Sequence, residues 1–580
     1  MRFRTILYYS IAYITLYVIL QYYFKYHFFW IEQTQLFQNT ALYILEKIKS
    51  PGGLTLVISN FLIQFFAYPF IGAAIISALL ILIGGLSYHI MRYISPQHKL
   101  FILPVIVVLS IFTCQFDINY KLQGTIAFIF SLFALYYTVK IPNYNQRLIV
   151  AIILVFVLFV TAGAVTTLFA SCIILLELLK GGKKRGLVLF ILLELAFLSF
   201  FSVDHAIEGS YASALLPKKY YSVRVPIPIK LYFPWMTLLS CLLFAVFARK
   251  WTVQKKSSII YTGLQLILII VFSFLSIFFY GDWKTAKLKE LDYYARMEQW
   301  DKIIDCCQQW RLDHPLYLNY LNIALIQKGE LADRMFSFNQ QGPSSLGFEW
   351  NNQSLLAPIL SDLYFSIGLI ALSQKMAFEN NTCSIEDGNP RMLKRLIQTN
   401  LIFGAYPIAE KYINILENTI YYKNWAKQHR VFLHNDSLVI QDRLLGSKRR
   451  YLFVKDNCLL TDFEAAEHLL LSNPMDVTSI QFMGAKLLLA KDLNHFKTML
   501  NNYYTTKVFL EIPISFQEAI MILSLKEEQI IKRYPIPDRT KQNFEAFQKL
   551  LFDNRKNPNV KTVLFKYFGN TYWYYYMFKE

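Results

Sequence analysis

Two adjacent lysines and the apolar run that follows them divide this chain. Lys255 and Lys256 precede residues 258–280, which are apolar almost throughout; from Lys284 onward charged residues return at helical spacing. Roughly 20 residues of helix cross the hydrocarbon core of a bilayer, and a helix that is apolar on every face is not stable against water. The chain is therefore expected to be all-α, with a polytopic membrane domain over residues 1–281 and a water-soluble domain over residues 282–580.

Composition agrees. Of 580 residues, 55% are hydrophobic and 17% aromatic, and the mean hydropathy is +0.34. That is more apolar than ordinary soluble proteins, and the first half accounts for the excess. A basic start (Arg2, Arg4) leads into the apolar residues 5–23, but Phe24, Lys25, Tyr26, His27 and Phe28 follow instead of a small-residue cleavage site. The run reads as a retained first span. The net charge of +19 does not indicate nucleic acid. Many of the cations flank apolar runs, where they set topology, and no nucleic-acid motif is present.

Nine spans are expected, at residues 5–23, 71–90, 101–115, 124–139, 148–161, 165–179, 187–203, 231–247 and 258–280; Ala162-Gly163-Ala164 separates the fifth from the sixth. Several are shorter than an upright crossing needs, and short helices in membranes line cavities. With nine spans, five basic groups fall on one side: Arg2 with Arg4, Arg92 with Lys99, Lys140 with Arg147, the cluster Lys180, Lys183, Lys184 and Arg185, and the cluster Arg249, Lys250, Lys255 and Lys256. The positive-inside rule makes that side the cytoplasm, so the N-terminus is cytoplasmic and the soluble domain lies outside or in a periplasm. Two long outer loops result, 25–53 and 204–230, and residues 34–50 and 54–69 are expected to be helices lying on the outer face.

In the soluble half, Leu291, Tyr294, Met297, Ile303, Ile304, Cys307 and Trp310 fall at three- and four-residue spacing, and His314-Pro315 ends that pattern. Leu318, Leu321 and Leu325 open the next helix. Paired helices recur at residues 404–428 and again at 462–473 with 477–491. Further helices are expected at 493–504, 515–525, 540–554 and 560–576, with an irregular insert at 431–458. The pattern reads as a degenerate α-solenoid of tetratricopeptide style, which would either dock a protein, peptide or glycan partner on its concave face or simply cap the membrane domain. Cys114, Cys172 and Cys241 read as small apolar core residues. Cys306, Cys307, Cys383 and Cys458 lack metal-ligand spacing, and the sequence leaves any disulfide pairing among them open.

The segments Trp30-Ile31-Glu32-Gln33-Thr34-Gln35-Leu36-Phe37 and Pro51-Gly52-Gly53-Leu54, with Phe61-Leu62, Gln64-Phe65-Phe66, Pro69 and the repeat-like tail, resemble an uncharacterised multi-pass family of Bacteroides-type bacteria. That resemblance implies residence in a bacterial inner membrane with the tail in the periplasm, and no activity. The architecture also resembles GT-C glycosyltransferases, which carry an acidic residue in a long outer loop after the first span and use lipid-phosphate-linked sugars. Glu32 occupies that place, although it stands alone where those enzymes often have a paired acidic signature.

On that reading a polyprenyl-phosphate-linked sugar is the donor. A carboxylate takes the proton of the acceptor hydroxyl, and cations stabilise the leaving phosphate. Glu32, Asp117, Asp204 and His205 are the catalytic candidates, and Lys121, Lys218, Lys219 and Arg224 the substrate-binding ones. The ordinary alternative for the cations is contact with lipid headgroups. For Glu32 it is a place at the start of a helix over 34–50, where a negative charge suits the dipole. Glu194 falls mid-span, where an ionisable group suggests function, and Glu177 reads as a surface pair at the membrane edge. No metal site and no cofactor motif is present. Two readings remain: a GT-C-like transferase, and a non-catalytic membrane scaffold with a docking surface.

Overall fold

Prolines, glycines and polar caps cut the chain into helices. A computed structural model describes residues 2–96, 100–179, 186–205, 207–249, 257–349, 355–385, 388–450, 452–453, 456–504 and 511–579. Lys99, the cluster Lys180, Lys183, Lys184 and Arg185, and Lys250, Lys255 and Lys256 lie outside the described residues, as do the side chains of Arg2 and Arg4. The described residues form helices and turns without a named strand, and two compact units result. Unit 1 comprises Met1–Ala286 together with Asn418–Lys423; unit 2 comprises Lys287–Glu417 and Asn424–Glu580.

Unit 1 contains α1 (Arg2–Tyr23), α2 (Lys25–Glu32), α3 (Ala41–Ile48), α4 (Gly53–Ile63), α5 (Ile71–Ile94), α6 (Ile102–Gln115), α7 (Leu122–Lys140), α8 (Tyr144–Ala162), α9 (Val165–Leu179), α10 (Gly186–Asp204), α11 (Tyr211–Leu215), α12 (Phe233–Ala248) and α13 (Ser257–Tyr280). Among the described residues, five helical segments are long and apolar enough to cross a membrane: Ile71–Ile94, Leu122–Lys140, Tyr144–Ala162, Ile229–Ala248 and Thr262–Tyr280. α6 and α9 are apolar but shorter. α7 is the central helix, packed against α4, α5, α8 and α9, and most of it is buried. α13 is the opposite, exposing Ile267, Ile270, Phe274 and Phe278. Such a surface suits hydrocarbon and not water.

The short helices between α2 and α5 differ from expectation. Residues 34–50 do not form one helix. Thr40 caps a shorter α3, its hydroxyl accepting from the Tyr43 N–H at 3.3 Å. The residues before Thr40 run outside any helix. α4 continues into a single 3-10 turn at Gln64–Ala67, and Pro69 follows.

In unit 2 successive helices pack on one another: Leu356–Ile367 on Ile370–Cys383, that helix on Pro390–Phe403, and that one on Tyr406–Glu417. Pro315 opens helix Pro315–Lys328, with His314 Nδ1 accepting from the Leu316 N–H. The short helix Leu331–Arg334 departs from neighbour-to-neighbour packing. It lies against Val477–Leu489 and Ile514–Ser524, and Asp333 Oδ1 accepts from the Ile514 N–H at 2.8 Å. A one-dimensional repeat makes no such long-range bond. Residues 431–458 hold two short helices, Asp436–Gln441 and Leu445–Arg450. The last expected helix is two, Val560–Phe568 and Tyr572–Phe578, divided at Gly569-Asn570. The aromatic tail is core: Trp573 Nε1 donates to the Glu518 carbonyl at 2.8 Å and the Tyr575 hydroxyl to the Leu489 carbonyl at 2.7 Å. Cys306, Cys307 and Cys383 are buried free thiols, and Cys458 is an exposed one.

Candidate functional site

Two loops of unit 1 meet backbone to backbone beyond the ends of α6 and α11. Tyr120 and Tyr221 form an isolated antiparallel bridge. Beside it the Lys121 N–H donates to the Tyr220 carbonyl and the Ser222 N–H to the Asn119 carbonyl, both at 3.0 Å. Asp117 stands at this bridge. Its Oδ1 accepts from the Asn119 N–H at 2.9 Å, closing a local turn. Its Oδ2 accepts from the Tyr221 hydroxyl at 3.0 Å and lies 3.0 Å from Lys230 Nζ. Burial, and after it the Asp117 carboxylate, push the Tyr221 phenol up, so it remains a donor at any ordinary pH.

The turn Pro217–Tyr220 carries the next residues. Lys219 pairs with Glu208, both largely buried. The Lys219 stem lies on Gly163, where a Cβ would stand 3.0 Å from its Cδ. Gly163 has φ +80 and ψ −135, a backbone conformation that only glycine adopts without strain. It breaks α8 from α9 and leaves backbone groups to be satisfied. Tyr220 does this with one hydroxyl, donating to the Ala162 carbonyl at 2.7 Å and accepting from the Val165 N–H at 2.9 Å. Gly52 approaches from the other side. Its N–H donates to the Val160 carbonyl at 2.9 Å, and its carbonyl accepts from Gln123 Nε2 at 3.0 Å.

Asp117, Lys121, Lys218 and Lys219 thus belong to one loop cluster. Of the other sequence candidates, Arg224 borders this cluster through Ser222, and the rest lie elsewhere in the unit. Asp204 and His205 end α10, exposed and 3.7 Å apart, with the imidazole stacked on Phe201 at 4.1 Å. Arg224 is exposed, its N–H 3.5 Å from Ser222 Oγ. Glu194 is half-buried on α10, and its Oε2 has no hydrogen-bond partner among the described residues.

Glu32 is the last residue of α2, not the first of a following helix, so its charge sits at the end of the dipole that disfavours it. It is 2% exposed. The Tyr422 hydroxyl lies 2.9 Å from Oε1 and 3.0 Å from Oε2. Tyr422 belongs to Asn418–Lys423, the six residues that unit 1 takes from far along the chain. That segment is fixed by further bonds: the Asn39 N–H donates to the Asn418 carbonyl at 2.7 Å, the Ile420 N–H approaches Gln64 Oε1 at 3.4 Å, and Tyr421 packs edge-on against Tyr68. Glu177 is also corrected. It is no surface pair but a buried one, bidentate with Arg147 at 2.7 and 3.0 Å, while Arg147 Nη1 donates to the Ile141 carbonyl.

Sequence reasoning missed Glu208, Lys230, Tyr220, Tyr221 and Tyr422, none of which carries a spacing signal. The family model described as "Family of unknown function (DUF6057)" matches residues 2–579. The chain belongs to that family. The match takes in both units. No curated protein and no solved structure matches the chain.

Proposed function

We propose that this DUF6057 protein is a non-catalytic scaffold of the bacterial inner membrane, holding a helical unit in the periplasm as a docking surface for a protein or glycan partner. The observation that carries the reading is the state of Glu32. A general base must reach the acceptor hydroxyl, and Glu32 is 2% exposed with both oxygens against the Tyr422 hydroxyl. The remaining buried or half-buried acids of the outer loops are also engaged, Asp117 by Lys230 and Tyr221, and Glu208 by Lys219. These bonds tie loops together.

The membrane topology belongs to the same proposal: nine spans, the N-terminus in the cytoplasm and the soluble unit in the periplasm, of tetratricopeptide-like descent. Nine apolar helices (α1, α5–α10, α12 and α13) support the count. α3 exposes Leu42 and Leu45, as a helix resting in a membrane interface does.

A second reading has one observation in its favour. Asp117, Lys121, Lys218 and Lys219 lie on the two loops that meet at the Tyr120–Tyr221 bridge, where Asp117 pairs with Lys230, and a GT-C-like transferase would need a carboxylate and cations on such loops for a polyprenyl-phosphate-linked sugar. The test is Glu32→Gln and Asp117→Asn in cells, with envelope glycans profiled by mass spectrometry and protein levels checked. Glycans that stay as in the wild type support the scaffold. Altered glycans at normal protein level replace it with the transferase.

A further inference from the structure

Unit 2 gathers more cations than its carboxylates hold. Helix Pro390–Phe403 carries Arg391, Lys394 and Arg395 on one face, at i, i+3 and i+4. Two aspartates serve the arginines. Arg391 Nη1 lies 2.5 Å from Asp292 Oδ1, and Asp362 bridges Arg391 and Arg395, the latter at 2.9 Å. The Arg395 guanidinium lies 3.6 Å over the buried Phe365 ring, and Lys448 of helix Leu445–Arg450 approaches the same ring at 5.8 Å. Arg395 Nε is buried with no hydrogen-bond partner among the described residues.

No ion pair among the described residues reaches Lys394 or Lys448. Lys394 Nζ stands 4.7 Å over the Trp425 ring, whose plane His429 stacks against at 3.6 Å. Lys448 Nζ donates only to the Ser366 carbonyl, at 2.8 Å. Glu298 and Asp476 attract these lysines from further away, but Glu298 is exposed and Asp476 holds the Ser479 hydroxyl. Burial first, and then the neighbouring cations Arg296, Arg395 and Arg391, push Lys394 down to about 8; burial, with Arg395 adding to it, does the same to Lys448. Partly buried cations without an anion are costly, and a bound anion would relieve them.

We propose that Lys394, Arg395 and Lys448 form a binding site for a phosphate group. Two ammonium groups and one guanidinium N–H, carried by two helices, suit the non-coplanar oxygens of a tetrahedral dianion better than the flat edge of a carboxylate. The inference stands on unit 2 alone and does not depend on the scaffold reading.

The test uses the full-length protein in detergent, with chloride replaced stepwise by inorganic phosphate, by glycerol 3-phosphate or by acetate at constant ionic strength. Inorganic phosphate is expected to raise the Tm, and acetate is not. Glycerol 3-phosphate binding more tightly than inorganic phosphate would name a phosphomonoester as the ligand; the reverse order would name free phosphate. Lys394→Met with Lys448→Met is expected to weaken the phosphate effect at least tenfold, while its Tm without phosphate stays near or above that of the wild type, since two largely buried cations that Arg395 repels are gone. A reading independent of any variant is amine acetylation of the wild type at about pH 8. Phosphate should protect Lys394 and Lys448 severalfold while the solvent-facing Lys328 labels unchanged. Equal Tm in phosphate and acetate, or unprotected Lys394 and Lys448, would overturn the site.

Discussion

The two units treat buried charge differently. In unit 1 the Arg147 guanidinium meets one carboxylate, Glu177, in a bidentate pair, and its remaining Nη1 is taken by a backbone carbonyl. In unit 2 Arg391 and Arg395 share two aspartates, and no ion pair among the described residues reaches the neighbouring Lys394 and Lys448. Their surroundings differ in the same sense. α10 exposes Leu192, Leu193, Phe197 and Phe200, whereas unit 2 buries Leu321, Leu363, Phe482 and Trp573. The exposed apolar faces of unit 1 suit a medium that supplies no hydrogen bonds, where a buried charge such as Arg147 is best matched within the fold. Unit 2 buries large apolar side chains, as a unit folded against water does, and there a surplus of cations at a half-buried face can persist.

The largest test of that contrast is Asp362→Ala. Removing the carboxylate shared by Arg391 and Arg395 should destabilise unit 2 by about 3–5 kcal/mol, read as a large fall in Tm of the full-length protein. A loss below about 1 kcal/mol would mean the arginines do not rely on it. Glu518 gives the next effect, through pH. Burial pushes its carboxyl up to about 8 from an ordinary 4.5, partly countered by the Tyr572 N–H. The folded state therefore holds a proton that the unfolded chain releases. Its stabilisation is present below about pH 4.5 and is lost as pH rises toward 8, on the order of 3 kcal/mol. Glu518→Gln should flatten Tm against pH over that window, and an unchanged slope would show that another group sets it.

Smaller effects sharpen the picture of unit 1. Gly163→Ala must place a side chain at φ +80, with Lys219 only 3.0 Å from the new Cβ, and should cost roughly 1–3 kcal/mol. Loss of folded protein from membranes, partly restored by shortening Lys219, is the expected pattern. Tyr422→Phe leaves Glu32 without its hydroxyl donor and should cost about 1–2 kcal/mol, with protease cleavage rising near residues 418–423. The smallest change is Asp301→Ala. Its pair with Lys328 lies at the surface of unit 2, and its loss should stay within about 1 kcal/mol.

How much of this was legible can be judged from particular elements. The break at Gly163 was, because glycine between two alanines interrupts an apolar helix in a way that composition reveals. The helices at Val477–Leu489 and Leu493–Tyr503 were, because their apolar residues recur at helical spacing. Helices Leu356–Ile367 and Pro390–Phe403 went unread, although they carry Asp362, Phe365, Arg391 and Arg395. Their cations sit on a face that looks solvated in sequence, and only packing against Phe365 makes it an interior one. Of the candidate site, Asp117, Lys121, Lys218 and Lys219 were named, but their partners Lys230, Tyr221 and Glu208 were not.

By itself the sequence determined the helical class and the positions of the apolar helices. Both follow from which residues prefer hydrocarbon or water at a 3.6-residue period, a property of neighbours along the chain. It could not determine that Glu32 would meet Tyr422, 390 residues away, or that Lys394 and Lys448 would share the surroundings of Arg395. Those meetings depend on how helices pack in three dimensions. The environment of a charge, and with it whether the charge is a tie, a base or a ligand site, is set by the segments brought against it.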